Sequence, residues 1–190
     1  MREFGFSNTA ILLPFPALSY LPFNPWTDWM NTVPTPETSF RTATTRDIDA
    51  LRQFEQGIVS AERAFDPTLK AGRVQYYDIE RMILDEQVRF VVAERGNELV
   101  GCGFARIDTA KACLSHAQQA YLGLMYVDPN YRGQSINGQI VERLKQWCRT
   151  RGVTELRLDV YSDNLIALGA YEKAGFLKHM IEMRLRLDAT

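Results

Sequence analysis

Val127-Asp128-Pro129-Asn130-Tyr131-Arg132-Gly133-Gln134-Ser135-Ile136-Asn137-Gly138 joins an apolar run, residues 120–127, to an amphipathic one. The first run reads as a strand that stops at Asp128-Pro129, because proline gives no N–H to a ladder and restricts the residue before it. Beyond the turn, Ile136, Ile140, Val141, Leu144, Trp147 and Cys148 recur on one helical face until Gly152, and residues 153–160 read as the next strand. The unit is strand, turn, helix, strand. The first amides of such a helix lack partners within it, and its dipole and Arg132 add positive potential, so the turn suits a pyrophosphate or another anion. Gly133 and Gly138 allow close backbone approach, but glycines also serve tight turns that bind nothing. Neither the glycine-lysine-serine/threonine phosphate loop nor GxGxxG is present, which disfavours a nucleotide triphosphatase.

Working outward, Asp163 or Asn164 can cap a helix through Ala167, Ala170 and Tyr171 that Gly175 ends. Residues 179–187 alternate, with His179, Ile181, Met183, Leu185 and Leu187 on one side and Glu182, Arg184 and Arg186 on the other, which predicts a half-buried final strand. Upstream, residues 40–43 predict a short strand and Thr45 an N-cap for a helix carrying Ile48, Leu51, Phe54 and Ile58. A second helix is expected over residues 76–84, then strands over 90–93 and 99–107 joined at Arg95-Gly96-Asn97. The fold class is α/β, a mixed sheet flanked by helices. Residues 1–39 hold Pro14, Pro16, Pro22, Pro25, Pro34 and Pro36 among aromatic side chains and read as an irregular extension, leaving 40–190 as the folded domain.

With 46% hydrophobic and 24% charged residues the chain can bury one real core. A net charge of -1 gives no basic excess, so neither nucleic acid nor a membrane surface is an expected partner. No run reaches the length of a membrane span, and residues 10–21 make a poor signal peptide because Pro14 and Pro16 interrupt them. Cys102, Cys113 and Cys148 form no Cys-x-x-Cys pair, and His116 and His179 are far apart. Neither a disulfide framework nor a metal site is indicated, and a reducing, cytoplasmic compartment is expected. The apolar extension and the last strand also raise the expectation of a homodimer.

Two motifs in order carry a resemblance. The turn VDPNYRGQSIN resembles the Gln/Arg-x-x-Gly-x-Gly/Ala signature of the GNAT superfamily of N-acetyltransferases, with Ser135 and Asn137 at the positions usually held by smaller residues. Asn164, Ala167, Tyr171, Gly175 and Phe176 match a second spacing of the same family. The similarity runs over about residues 40–187 and implies a GNAT-like sheet whose splayed strand pair forms an acyl-CoA cleft.

The resemblance implies that the backbone of Met125, Tyr126 and Val127 meets the pantetheine arm, and that the amides of Arg132, Gly133, Gln134, Ser135, Ile136, Asn137 and Gly138 hold the pyrophosphate. It places Asn164 at the cofactor or its ordered water and Tyr171 near the thioester sulfur. The implied activity is transfer of an acetyl group from acetyl-CoA to a primary amine, with no metal. Transfer needs a neutral amine, a stabilised oxyanion and a proton for the departing thiolate. Tyr171 suits the last task, since its hydroxyl stays protonated at neutral pH. Asp159 is the candidate base, with a water relay or Gln119 and Tyr121 as alternatives. Glu55, Glu62, Asp66, Tyr76, Tyr77 and Asp78 would suit a cationic acceptor. A non-catalytic acyl-CoA-binding module and a transferase of longer acyl groups are the alternative readings.

Overall fold

The structure, a computed structural model, describes residues 37–187. The expected irregular extension lies almost wholly outside them, and Thr38 and Ser39, at its end, belong to the first strand, β1 (Thr38–Thr42). A single 3-10 turn, Thr45–Asp47, then leads into α1 (Ile48–Glu62). Thr44 caps that turn and Asp47 stands at the N-cap position of α1, so the expected cap Thr45 lies within the turn. Asp47 accepts from the Thr44 amide at 2.7 Å, and Arg41 clamps the same carboxylate at 2.8 and 2.9 Å, holding it down to about pH 2.

The second helix, α2 (Ile79–Ile83), is shorter than the expected 76–84. Asp78 caps it by accepting from the Arg81 amide, while the amides of Tyr76 and Tyr77 both donate to Glu55 Oε1 at 2.9 Å. A helix could not begin at Tyr76 without giving up those bonds to a buried carboxylate.

Strands β2 (Val88–Arg95), β3 (Glu98–Thr109) and β4 (Gln118–Val127) follow, then α3 (Ile136–Thr150), β5 (Leu156–Arg157) and α4 (Leu165–Lys173). The sheet runs β1-β2-β3-β4-β5, antiparallel except for the parallel β4–β5 pair. On one face Ile136, Ile140, Leu144 and Trp147 of α3 pack on Val91, Ala93, Ala105, Ile107, Ala120 and Leu122. On the other, Leu51 of α1 and Ile79 of α2 pack on Phe90, Val92, Cys102, Phe104 and Leu124. Burial of each such Leu or Phe contributes about 1.5–3 kcal/mol, so packing on the sheet holds both helix layers.

Two departures from expectation lie at the C-terminal end. The strand expected over residues 153–160 is reduced to Leu156–Arg157, which pair only with Ala120 and Tyr121. The final strand expected over 179–187 is absent. Leu177, Met180, Ile181, Met183, Leu185 and Leu187 are 84–91% exposed, so neither side of the alternating segment is covered. Alternation states a preference for a half-buried ladder, and β5 is too short to supply one here.

Candidate active site

Strand β4 changes face in its middle. Ala120 and Leu122 point into the α3 layer, but Leu124 points into the α1 layer, although three even positions in a regular strand share one side. The cause is a bulge. Cys102 pairs with Tyr126 and Phe104 with Gly123, so Leu124 and Met125 oppose Gly103 alone. Leu124 takes the left-handed conformation at φ 50°, and the buried Cys102 thiol braces it by donating to the Leu124 carbonyl at 3.3 Å. Beyond the bulge the Tyr126 ring turns under α1, stacked on Phe54 at 4.8 Å, while Met125 and Val127 pack toward α3.

Among the described residues, β5 accompanies β4 only as far as Tyr121. Beyond that point no strand pairs with this edge of β4 among the described residues, and Met125, Tyr126 and Val127 lie along it. One group there is already engaged, because Arg132 Nε donates to the Val127 carbonyl at 3.2 Å.

The turn that follows is built from alternating constraints. Gly133 has φ 76° and Ser135, the residue preceding α3, has φ 60°. The first intrahelical bond of α3 runs from the Gln139 amide to the Ser135 carbonyl at 3.1 Å, so the amides of Ile136, Asn137 and Gly138 have no partner in the helix. Ile136 anchors this end in the core at 2% exposure. A Cβ built on Gly133 or Gly138 would meet nothing within 4 Å, so the turn is uncrowded at both glycines. Gln134 is steadied by Arg95, which donates to its side chain at 3.0 Å. Exposed amides, a helix dipole and an open cradle fit a pyrophosphate.

The expected catalytic residues lie on the other side of the bulge. Tyr171 sits on α4, edge-to-face with Phe176 at 5.9 Å, and burial together with nearby Glu62 and Tyr77 pushes its hydroxyl up to about 12. Tyr77 reaches the bulge itself. Its hydroxyl lies 2.9 Å from where a Gly123 Cβ would stand, and burial raises it above the ordinary value. Burial leads the causes that raise the Tyr121 hydroxyl, and the nearby Tyr77 and Asp159 add to it. Asp159 is exposed and lies near Tyr121. Asn164 caps α4 by accepting from the Ala167 amide at 3.1 Å.

Of the groups expected to suit an acceptor, Glu55 spends its carboxylate on the Tyr76 and Tyr77 amides. Asp66 accepts from the Thr68 amide and hydroxyl and from both Arg184 nitrogens, and these bonds, that to Arg184 foremost, hold it far below the usual carboxylate range. Glu62 accepts from the Tyr76 hydroxyl at 2.9 Å, and burial raises its carboxyl above the ordinary value. Sequence reasoning missed the Leu124 bulge and the Cys102 brace. Their only trace is the slip from apolar 120, 122 and 124 to 125 and 127, which could as well mark a strand buried on both faces.

The family model described as "Acetyltransferase (GNAT) family" matches residues 52–176, a span containing both motifs, the bulge and Tyr171. Among solved structures, a predicted acetyltransferase of Clostridium acetobutylicum with acetyl-CoA is similar at 18% identity and TM-score 0.61, over 80% of this chain and 97% of that one. Glucosamine-6-phosphate N-acetyltransferase of Arabidopsis thaliana is similar at 18% identity and TM-score 0.58, over 80% and 99%. An aminoglycoside N-acetyltransferase in complex with CoA is similar at 15% identity and TM-score 0.63, over 81% and 97%. At such identities the likeness is one of fold.

Proposed function

Because the chain belongs to the GNAT acetyltransferase family, we propose that it transfers an acetyl group from acetyl-CoA to a primary amine while both are bound. The observation that carries the reading is the turn between β4 and α3, where Gly133 and Ser135 take positive φ and the first amides of α3 have no partner in the helix, beside the unpaired end of β4.

In this reading the amides of Arg132 to Gly138 hold the pyrophosphate and the backbone of Met125 to Val127 lines the pantetheine path. Acetyl-CoA supplies the acyl group already activated as a thioester. The bulge reorients the β4 backbone at Leu124, and in this reading the amide there answers negative charge on the acyl oxygen. Tyr171 gives a hydrogen bond to the departing sulfur. Its hydroxyl, near 12, lies above an ordinary thiol at about 8.5, so it is protonated throughout the physiological range and stabilises the sulfur without remaining ionised. The nearby Asp159 charge helps keep the Tyr121 hydroxyl protonated.

Calorimetric titration with acetyl-CoA tests the binding half of the proposal. Saturable one-to-one binding that free adenosine does not reproduce supports it, and the absence of binding contradicts it.

A further inference from the structure

We propose that Glu62 holds the acceptor as a primary ammonium and takes the proton that the amine must lose before it attacks; this rests on the reading of the site as an acetyl-transfer centre. Two other carboxylates of this corner are spent: Glu55 is bound by two backbone amides and Asp66 by Thr68 and Arg184, while Asp159 and Glu182 are exposed. Glu62, at the last turn of α1, gives Oε2 to the Tyr76 hydroxyl, and no cation pairs with it among the described residues.

Its surroundings are a ring of phenols. Tyr76 and Tyr77 come from the segment before α2, Tyr161 from the loop before α4 and Tyr171 from α4, and each feels the Glu62 charge. The charged groups facing this corner are Asp66, on the loop after α1, and Arg184 and Glu182 of the C-terminal segment. Arg184 is committed to Asp66. The phenols are neutral at physiological pH, so a half-buried negative charge, hydrogen-bonded to Tyr76, stands within electrostatic reach of the proposed proton donor. A compact ammonium answers that charge, and aromatic faces favour it further.

The step balances without another reactant. The ammonium gives one proton to Glu62, which returns it to water. The freed lone pair forms the C–N bond as the C–S bond breaks, and the second N–H proton ends on sulfur, by way of Tyr171. Amide, free thiol and one proton result.

The test uses n-butylamine as probe with the full chain. In the presence of CoA, wild-type protein is expected to bind n-butylammonium saturably, and Glu62→Gln to bind it at least about tenfold more weakly with unchanged CoA affinity. With acetyl-CoA, Glu62→Gln should lower kcat/KM for n-butylamine by about 10²-fold and remove the acid limb of its pH profile, which Glu62→Asp partly restores. Equal n-butylammonium binding by wild type and Glu62→Gln, or no saturable binding by a wild type that does bind acetyl-CoA, overturns the inference alone. Failure of wild type to bind acetyl-CoA removes the underlying reading as well.

Discussion

Gly57 lies inside α1, where helix preference alone favours alanine by about 1 kcal/mol. The structure reverses that expectation. A Cβ at Gly57 would stand 2.5 Å from Tyr126 Cε2 and 2.9 Å from Cζ, and ordinary contact begins at 3.4 Å, so the ring must retreat by about 0.9 Å. The ring is stacked on Phe54 at 4.8 Å and 24° and cannot retreat without opening that stack. Overpacking costs about 1–3 kcal/mol and the stack is worth about 0.5–1.5 kcal/mol, so the helix gain is outweighed and Gly57→Ala should lose on the order of 1–3 kcal/mol. Tyr126 belongs to β4 beyond the bulge, so acetyl-CoA affinity should fall with stability. The assay is urea unfolding of the single variants Gly57→Ala and Tyr126→Leu and of the double variant. In the Tyr126→Leu background the same alanine should stabilise by about 1 kcal/mol, because the obstruction is gone. A Gly57→Ala protein more stable than wild type would refute the contact on which this rests.

Three further outcomes follow from the site. Tyr171→Phe keeps the ring and loses the donor, so kcat should fall by about 10²-fold while acetyl-CoA affinity by calorimetry stays within about twofold. Gly133→Asp should weaken acetyl-CoA binding by about tenfold or more through charge, since no atom obstructs the new side chain; Gly133→Asn, which meets the same positive φ of 76° without charge, should retain most of the affinity. Arg184→Ala leaves the Asp66 charge unneutralised near Glu62, so the acid limb of kcat/KM should move to higher pH. The same variant has a stability signature. The folded-state pKa of Asp66 is depressed, so its contribution is present above the unfolded value and lost as pH falls through the folded one. Wild type should therefore exceed Arg184→Ala in thermal stability at neutral pH and converge with it in acid.

The parts of the fold legible in sequence are those whose residues answer to local rules. The α3 stripe from Ile136 to Cys148 is set by helical period, and Gly152 at φ 74° ends it because a side chain there would be strained. Asn164 and Gly175 bound α4 for the same local reasons. What escaped is decided by partners distant in sequence. The shortening of α2 follows from Glu55, more than twenty residues upstream, taking the Tyr76 and Tyr77 amides. The bulge at Leu124 is a register choice between β3 and β4, visible only when Cys102 and Tyr126 are paired. Alternation over residues 179–187 correctly reports a side-chain pattern, but a strand also needs a neighbour, and none pairs with it among the described residues.

The candidate site divides in the same way. Its phosphate turn is a contiguous stretch and could be quoted from the sequence. The corner around Tyr171 is assembled from α1, the segment before α2, β4 and α4, and spacing alone could not say that Glu55 is held by backbone amides and Asp66 by Arg184 while Glu62 meets only the Tyr76 hydroxyl.

The central claim is acyl transfer, and amine-dependent release of free thiol from acetyl-CoA by the purified full-length chain tests it most directly. The account predicts thiol release that saturates in both acetyl-CoA and a primary alkylamine, with the acetylated amine appearing in equal amount. Tight acetyl-CoA binding with no amine-dependent release across primary amines of varied size and charge would contradict it and leave a binding module in its place.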